Sequence, residues 1–135
     1  DDISYKRICE EFHIVDDKLL VQFAYTFITK KEVSCLTIFN KFVYNGGDSK
    51  ALFRDMIEFL RIVNLCFIDE KGELAPLLTT DRRYKLANSL AKRIEDPSLI
   101  KEAIIHLSDI KLKDSDLSSI NIEVGIVEHC IITKV

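Results

Sequence analysis

The sequence predicts a mainly α-helical fold with a small β component: three helices, a β-hairpin and a further helix, with extra segments at both ends. Three observations predict it. Apolar residues recur at helical spacing through most of the chain. Between residues 65 and 78, two short apolar stretches flank a tight turn, as in a hairpin. The chain has 135 residues and is 47% hydrophobic, which suits a single packed core.

The N-terminal half carries the apolar periodicity of four successive helices. The first is short and has Tyr5, Ile8, Cys9 and Phe12 on one face. The second follows an N-cap at Asp16 or Asp17, and the third extends from Glu32 to about Tyr44, where Asn and Gly residues end it. The fourth covers residues 49–63 and buries a broad apolar stripe.

The hairpin is predicted from the residues that follow Asn64. Leu65–Ile68 is expected to form the first strand, and residues 69–72 a tight turn that ends in a glycine. Residues 73–78 are expected to return as a second strand, which Pro76 restricts to a sheet edge.

The C-terminal half is predicted to contain two helices and a last strand. Thr79 or Thr80 caps a helix that continues through Ile94, and Asp96-Pro97 starts the next. A polar loop at residues 113–116 precedes a terminal strand, because apolar residues alternate from Ile120 to Ile126. We therefore divide the chain into a domain at 1–95 and an extension at 96–135, which dimerises or begins another region.

The order of elements in residues 17–94 resembles the winged-helix (winged helix-turn-helix) superfamily. The resemblance is most specific between residues 48 and 94. There an amphipathic helix leads into the run Asn64-Leu65-Cys66-Phe67-Ile68-Asp69, and a second strand leads into Leu78-Thr79-Thr80 and a basic helix start. The resemblance implies that helix 49–63 enters the major groove of DNA and that the hairpin, or wing, touches phosphate or the minor groove.

Carried over to this chain, the resemblance implies a non-catalytic DNA-binding domain with a role in transcription regulation. The residues implied to contact double-stranded DNA are Lys30, Lys31, Ser49, Lys50, Arg54, Arg61, Lys71, Arg82, Arg83 and Lys85.

Two alternatives stay open because the expected DNA-reading surface carries acidic groups. Glu58 lies at i+4 from Arg54 and i−3 from Arg61, so these charges can neutralise one another. The hairpin tip is also acidic. The first alternative is a protein-interaction module or an accessory subunit of a larger complex, for instance a nucleic-acid-processing one. Its end segments would pair with a partner protein or with a second copy through the terminal strand. The second alternative is a piece of an enzyme whose active residues lie outside this chain.

No catalytic, metal or cofactor site is predicted. His13, His106 and His129 have no second histidine or cysteine at a ligand spacing, and the Glu123 and Glu128 surroundings lack the acidic pairs of a nuclease. Gly46-Gly47 is followed by no phosphate-binding lysine.

Composition indicates an intracellular, cytoplasmic protein. The four cysteines are far apart and mostly in apolar surroundings, which predicts structural thiols in a reducing compartment. The apolar runs are too short to span a membrane, and the acidic start is unlike a signal peptide. The absence of an initiator Met predicts that the chain is part of a longer one.

Overall fold

A computed structural model describes residues 15–69, 72–113 and 118–132, and their regular structure is entirely helical. Six α-helices follow one another: α1 (Asp17–Ile28), α2 (Glu32–Tyr44), α3 (Ser49–Ile68), α4 (Asp81–Arg93), α5 (Pro97–Lys113) and α6 (Ser119–Val127). A 3-10 turn, Ala75–Leu77, lies between α3 and α4, and a π-helical turn, Glu128–Ile132, follows α6. The short helix predicted at residues 5–12 lies outside the described residues.

The predicted helix starts are confirmed by side-chain caps. Asp16 accepts a bond from the backbone N–H of Lys18 at 3.2 Å, and Asp48 accepts one from Lys50 at 2.9 Å. Thr80 caps α4, and Asp96 accepts a bond from the N–H of Ser98 at the start of α5. These caps satisfy N–H groups that have no partner within the helix.

The prediction of a winged-helix core with a β component is wrong, because the described residues contain no strand. The first predicted strand, Leu65–Ile68, continues α3, and the N–H of Asp69 bonds to the carbonyl of Leu65 at 2.7 Å. The second predicted strand contains the 3-10 turn with Pro76 at its centre. A four-residue apolar run fits a strand or a buried helical turn equally well, so periodicity could not separate them.

The predicted terminal strand is also a helix, α6. Ile122 and Ile126 are buried while Ile120 and Val124 are exposed, which is the i, i+4 pattern of a helix lying on a surface. Gly125 lies close to α5, since a Cβ at this position would require the outer atoms of the Ile110 side chain to shift. Residues 120–126 alternate between apolar and polar or small side chains, a pattern that predicts a strand. In the structure they form α6, which packs closely against α5.

The core forms around α3, which contacts α1, α4 and α5, while α6 packs on α2 and α5. Side chains from both sides of the predicted boundary at residue 95 share one apolar cluster. Its largest buried members include Phe27, Phe39, Phe59, Leu52, Met56, Leu60, Leu90, Ile100, Leu107 and Ile122. Among the described residues, none of the helices combines the length and apolar character that crossing a membrane requires.

Candidate functional site

Two of the arginines implied to bind DNA lie against a buried carboxylate. Asp17, at the start of α1, is 4% exposed. Its Oδ1 accepts from Nε of Arg83 at 2.9 Å, and its Oδ2 lies 2.8 Å from Nε of Arg82. Arg83 also approaches Asp55 at 3.7 Å. These guanidinium groups join α4 to α1. The resemblance implied that the same two groups contact DNA phosphates.

Most of the other predicted DNA contacts also have partners within the chain. Lys30 pairs with Glu102, Arg61 with Glu58 and Lys85 with Asp81, while Lys31 lies over the ring of Tyr25. Ser49 is the first residue of α3, and Lys71 lies outside the described residues. Lys50 and Arg54 are exposed on the first turns of α3 and, within the described chain, take part in no ion pair.

Four large apolar side chains are exposed close together in sequence around the end of α3 and the 3-10 turn. They are Ile68, Leu74, Leu77 and Leu78, with exposed fractions of 64%, 48%, 81% and 52%. We call them the 68–78 surface. Exposed apolar side chains that lie together on a protein surface often mark an interaction site.

The backbone beneath the 68–78 surface is fixed by one carboxylate. Asp69 accepts bonds from three consecutive N–H groups, those of Glu73, Leu74 and Ala75, at 3.2, 2.7 and 2.9 Å. These bonds, with that of Ala75 contributing most, hold the pKa of Asp69 below its ordinary value. The three bonds restrain the backbone of residues 73–75, which lowers the entropy lost when a partner binds there.

A second polar site lies inside the bundle, where α5 meets the π-helical turn. Glu102 and His106 are one turn apart on α5, and His129 comes from the π-helical turn. Nδ1 of His106 and Nδ1 of His129 are 2.5 Å apart, and Nζ of Lys30 lies 2.9 Å from Oε1 of Glu102. One potential ligand atom of each of Glu102, His106 and His129 lies within 4.8 Å of the other two.

The position of His129 fixes its protonation. Its Nε2 lies 2.8 Å from the carbonyl oxygen of Phe27, and its ring stacks on that of Phe27 with 4.0 Å between centroids. A carbonyl oxygen only accepts, so Nε2 carries the hydrogen. Burial lowers the pKa of His129 to about 4, so the ring is neutral at pH 7 and its Nδ1 lone pair faces His106.

Two cysteines from different elements also meet in the core. Cys35 on α2 and Cys130 in the π-helical turn are both buried free thiols, whereas Cys66 is only half-buried. The hydrogen bond with Cys130, followed by burial, raises the pKa of Cys35 far above its ordinary value. Such a thiol is an inert packing group and not a nucleophile.

The Glu102–His106–His129 cluster was not predicted from the sequence, because a glutamate was not considered as the ligand partner of a histidine. The i, i+4 spacing of Glu102 and His106 was a visible signal, since it places both side chains on one helix face. His129 is 23 residues away from His106 in sequence and joins them only when α6 folds back on α5.

Comparison of the chain with protein-family models, with curated proteins and with solved structures finds no significant match.

Proposed function

We propose that this chain is a helical protein-interaction module that binds an apolar segment of a partner protein through the 68–78 surface. The observation that carries this proposal is the exposure of Ile68, Leu74, Leu77 and Leu78 on a backbone held by Asp69. Burying such side chains provides association energy at roughly 25 cal/mol per Å², and a fixed backbone lowers the entropic cost of binding.

The size of the 68–78 surface favours a short partner segment over a second copy of this chain. A stable interface between folded proteins buries about 800 Å² on each partner. Such an interface takes about 20–30 residues from each partner, many more than the four side chains of the 68–78 surface. An amphipathic helix that inserts a few apolar anchors needs a surface of this smaller size.

The charge beside the surface indicates what flanks the partner's apolar residues. Glu73 is exposed within the segment. Acidic groups at the rim of an interface favour a partner with basic residues next to its apolar anchors. We also propose an intracellular, reducing setting, which the free thiols of Cys35, Cys66 and Cys130 support.

Site-specific photo-crosslinking tests this proposal. A benzophenone amino acid replaces Leu77 in the full chain, expressed in its native cells, and the crosslinked partner segment is sequenced by mass spectrometry. Val33, 78% exposed on α2, is the matched control position. We expect one dominant adduct from position 77, to an apolar segment flanked by basic residues, and none to that segment from position 33.

Three results would contradict the proposal. The first is no adduct from position 77, and the second is the same adducts from positions 77 and 33. The third is an adduct between two copies of this chain, which would make the 68–78 surface a self-association site.

DNA binding is the second candidate function, and Lys50 and Arg54 are the observation in its favour. They lie one turn apart and exposed on α3. With labelled mixed-sequence duplex DNA at low salt, this candidate predicts binding that weakens steeply with added salt, as counterion release requires. Replacing both residues by Ala would then reduce affinity, whereas Lys92→Ala on α4 would change it little. Absence of binding by the wild-type chain at low salt rejects this candidate.

A further inference from the structure

Three side chains with metal-binding atoms converge where α5 meets the π-helical turn. Glu102 and His106 share one face of α5, and His129 approaches from the turn. Two imidazole nitrogens and a carboxylate oxygen are a common ligand set of zinc sites that keep one position for water. The surroundings of each ligand decide whether the cluster is suited to a metal or only to packing.

His129 has the surroundings of a metal ligand. Its Nε2–H donates to the carbonyl of Phe27, and its ring is held against the Phe27 ring. Metal-binding histidines typically donate their second ring N–H to a carbonyl or carboxylate in this way, which orients the lone pair of the other nitrogen. That lone pair, on Nδ1, faces Nδ1 of His106.

His106 and Glu102 can complete the site with a small adjustment. Zinc–nitrogen distances of about 2.0–2.1 Å place two nitrogens of a tetrahedral site roughly 3.3 Å apart. The two Nδ1 atoms are 2.5 Å apart, so the His106 ring would move outward by about 0.8 Å. His106 and Glu102 are only partly buried, which leaves room for this movement and for water. With Nδ1 of His106 as the ligand atom, the ring hydrogen of a neutral imidazole would be carried on Nε2.

Lys30 sets the charge of the site. It has a left-handed backbone, with φ of 58°, and its Nζ contacts Oε1 of Glu102 at 2.9 Å. A carboxylate has two oxygens, so one can bind a cation while Lys30 holds the other. The positive charge of Lys30 opposes a cation at the same time, so the site favours moderate affinity.

We propose that Glu102, His106 and His129 bind one divalent transition metal ion, Zn²⁺ in the first instance, with water as the fourth ligand. The metal would join α5 to the π-helical turn and, through the Phe27 carbonyl, to α1. Alkaline-earth cations are not expected to bind because they prefer all-oxygen sites.

Zinc titration of the full chain after treatment with EDTA tests this proposal. Calorimetry with ZnCl₂ alone is expected to give one saturable site, and MgCl₂ under the same conditions no binding. His106→Gln and Glu102→Gln, both at partly exposed positions, are each expected to weaken Zn²⁺ binding at least tenfold. His13→Gln, which removes the remaining histidine, is the matched control and is expected to bind as the wild type does.

Further measurements separate loss of binding from loss of folding. Circular dichroism must show that each variant keeps the wild-type helix content, and Co²⁺ bound to the wild type should show the visible absorption of a tetrahedral site. The proposal is overturned if the folded wild-type chain binds no Zn²⁺, or if both variants bind it unchanged. It is equally overturned if binding disappears in a folded Cys35→Ser chain and persists in His106→Gln. None of these results depends on the 68–78 surface.

Discussion

At the scale of single residues, polar groups inside the helices have matched partners. Thr26 donates to the carbonyls of Gln22 and Phe23, and Asp17 holds two arginines. His129 stays neutral and donates to a carbonyl. Burying a polar group costs free energy unless it is hydrogen-bonded, so these partners permit the burial.

The depressed pKa of His129 predicts a loss of stability on mild acidification. The unfolded chain takes up a proton at this ring near pH 6.5, whereas the folded chain resists it down to about pH 4. The stability contributed by the neutral ring is therefore complete above pH 6.5 and is lost as the pH falls toward 4. Urea unfolding with EDTA present should show about 2 kcal/mol less stability from this ring at pH 5 than at pH 7.5.

His129→Gln should flatten this dependence, and His13→Gln should leave it as in the wild type. An unchanged slope in His129→Gln would show that other groups cause the pH response.

Removing the buried carboxylate of Asp17 should destabilise the fold. Asp17→Ala leaves Arg83 partly buried, with the long contacts to the Val15 carbonyl at 3.4 Å and to the Asp55 carboxylate at 3.7 Å in place of the close pair with Asp17. We expect a loss of about 2 kcal/mol in chemical unfolding, below the usual cost of breaking a fully buried pair because Arg82 is exposed. Asp81→Ala, which breaks the exposed pair with Lys85, should cost under about 0.5 kcal/mol. Equal effects of the two substitutions would contradict this account of Asp17.

At the scale of elements, the backbone of residues 73–75, between α3 and α4, is held by hydrogen bonds to one side chain. The Asp69 carboxylate replaces the partners that the N–H groups of residues 73–75 would have in a regular element. The apolar side chains of the 68–78 surface therefore keep their places without a strand to support them.

Asp69→Ala should loosen this segment while the helices stay intact. We expect hydrogen exchange at the amides of Leu74 and Ala75 to accelerate at least tenfold, because each loses its acceptor. Lowering the pH through the depressed pKa of Asp69 should have the same effect once intrinsic exchange is corrected for. Asp81→Ala, in the following helix, is the control. Unchanged protection in Asp69→Ala would show that packing alone orders the segment.

Helices α1 to α5 and their starts could be predicted from the sequence. The helical structure of the segments that were predicted to be strands could not. Cap residues such as Asp48 and Thr80 bond to backbone N–H groups two or three residues away, so they can be predicted from the neighbouring sequence alone. Whether Leu65–Ile68 extends a helix or begins a strand depends on what packs beside it, which is tertiary information. The i, i+4 spacing of Glu102 and His106 could be recognised in the sequence. Their proximity to His129 could not, because it depends on how the helices pack.

At the scale of the whole molecule, the two parts of the chain on either side of residue 95 share one core. Helix α5 packs on α3 and α1, and α6 packs on α2. Ile100, Leu107 and Ile122 are fully buried in the same cluster as Phe27 and Leu60. The N-terminal part therefore depends on α5 and α6 to cover its apolar faces.

A fragment of residues 1–95 is expected not to fold cooperatively. Removing α5 and α6 uncovers the apolar faces of α3 and α2, so we expect a broad thermal transition and strong binding of an apolar dye. Insertion of Gly-Ser after Glu95, in an exposed connection, is the control and should leave a cooperative transition. A fragment 1–95 that unfolds cooperatively at the wild-type temperature would show that it is an independent domain.

The most direct test of the proposed function is the affinity of the chain for the partner segment identified by crosslinking, supplied as a labelled synthetic peptide. Fluorescence anisotropy should give a Kd at least tenfold weaker for Leu77→Ser than for the wild type, since burial of this side chain contributes about 1.5–3 kcal/mol. Val33→Ser, an equally exposed apolar change on α2, should bind like the wild type. Equal Kd values for Leu77→Ser and the wild type, with both proteins folded, would contradict binding through the 68–78 surface.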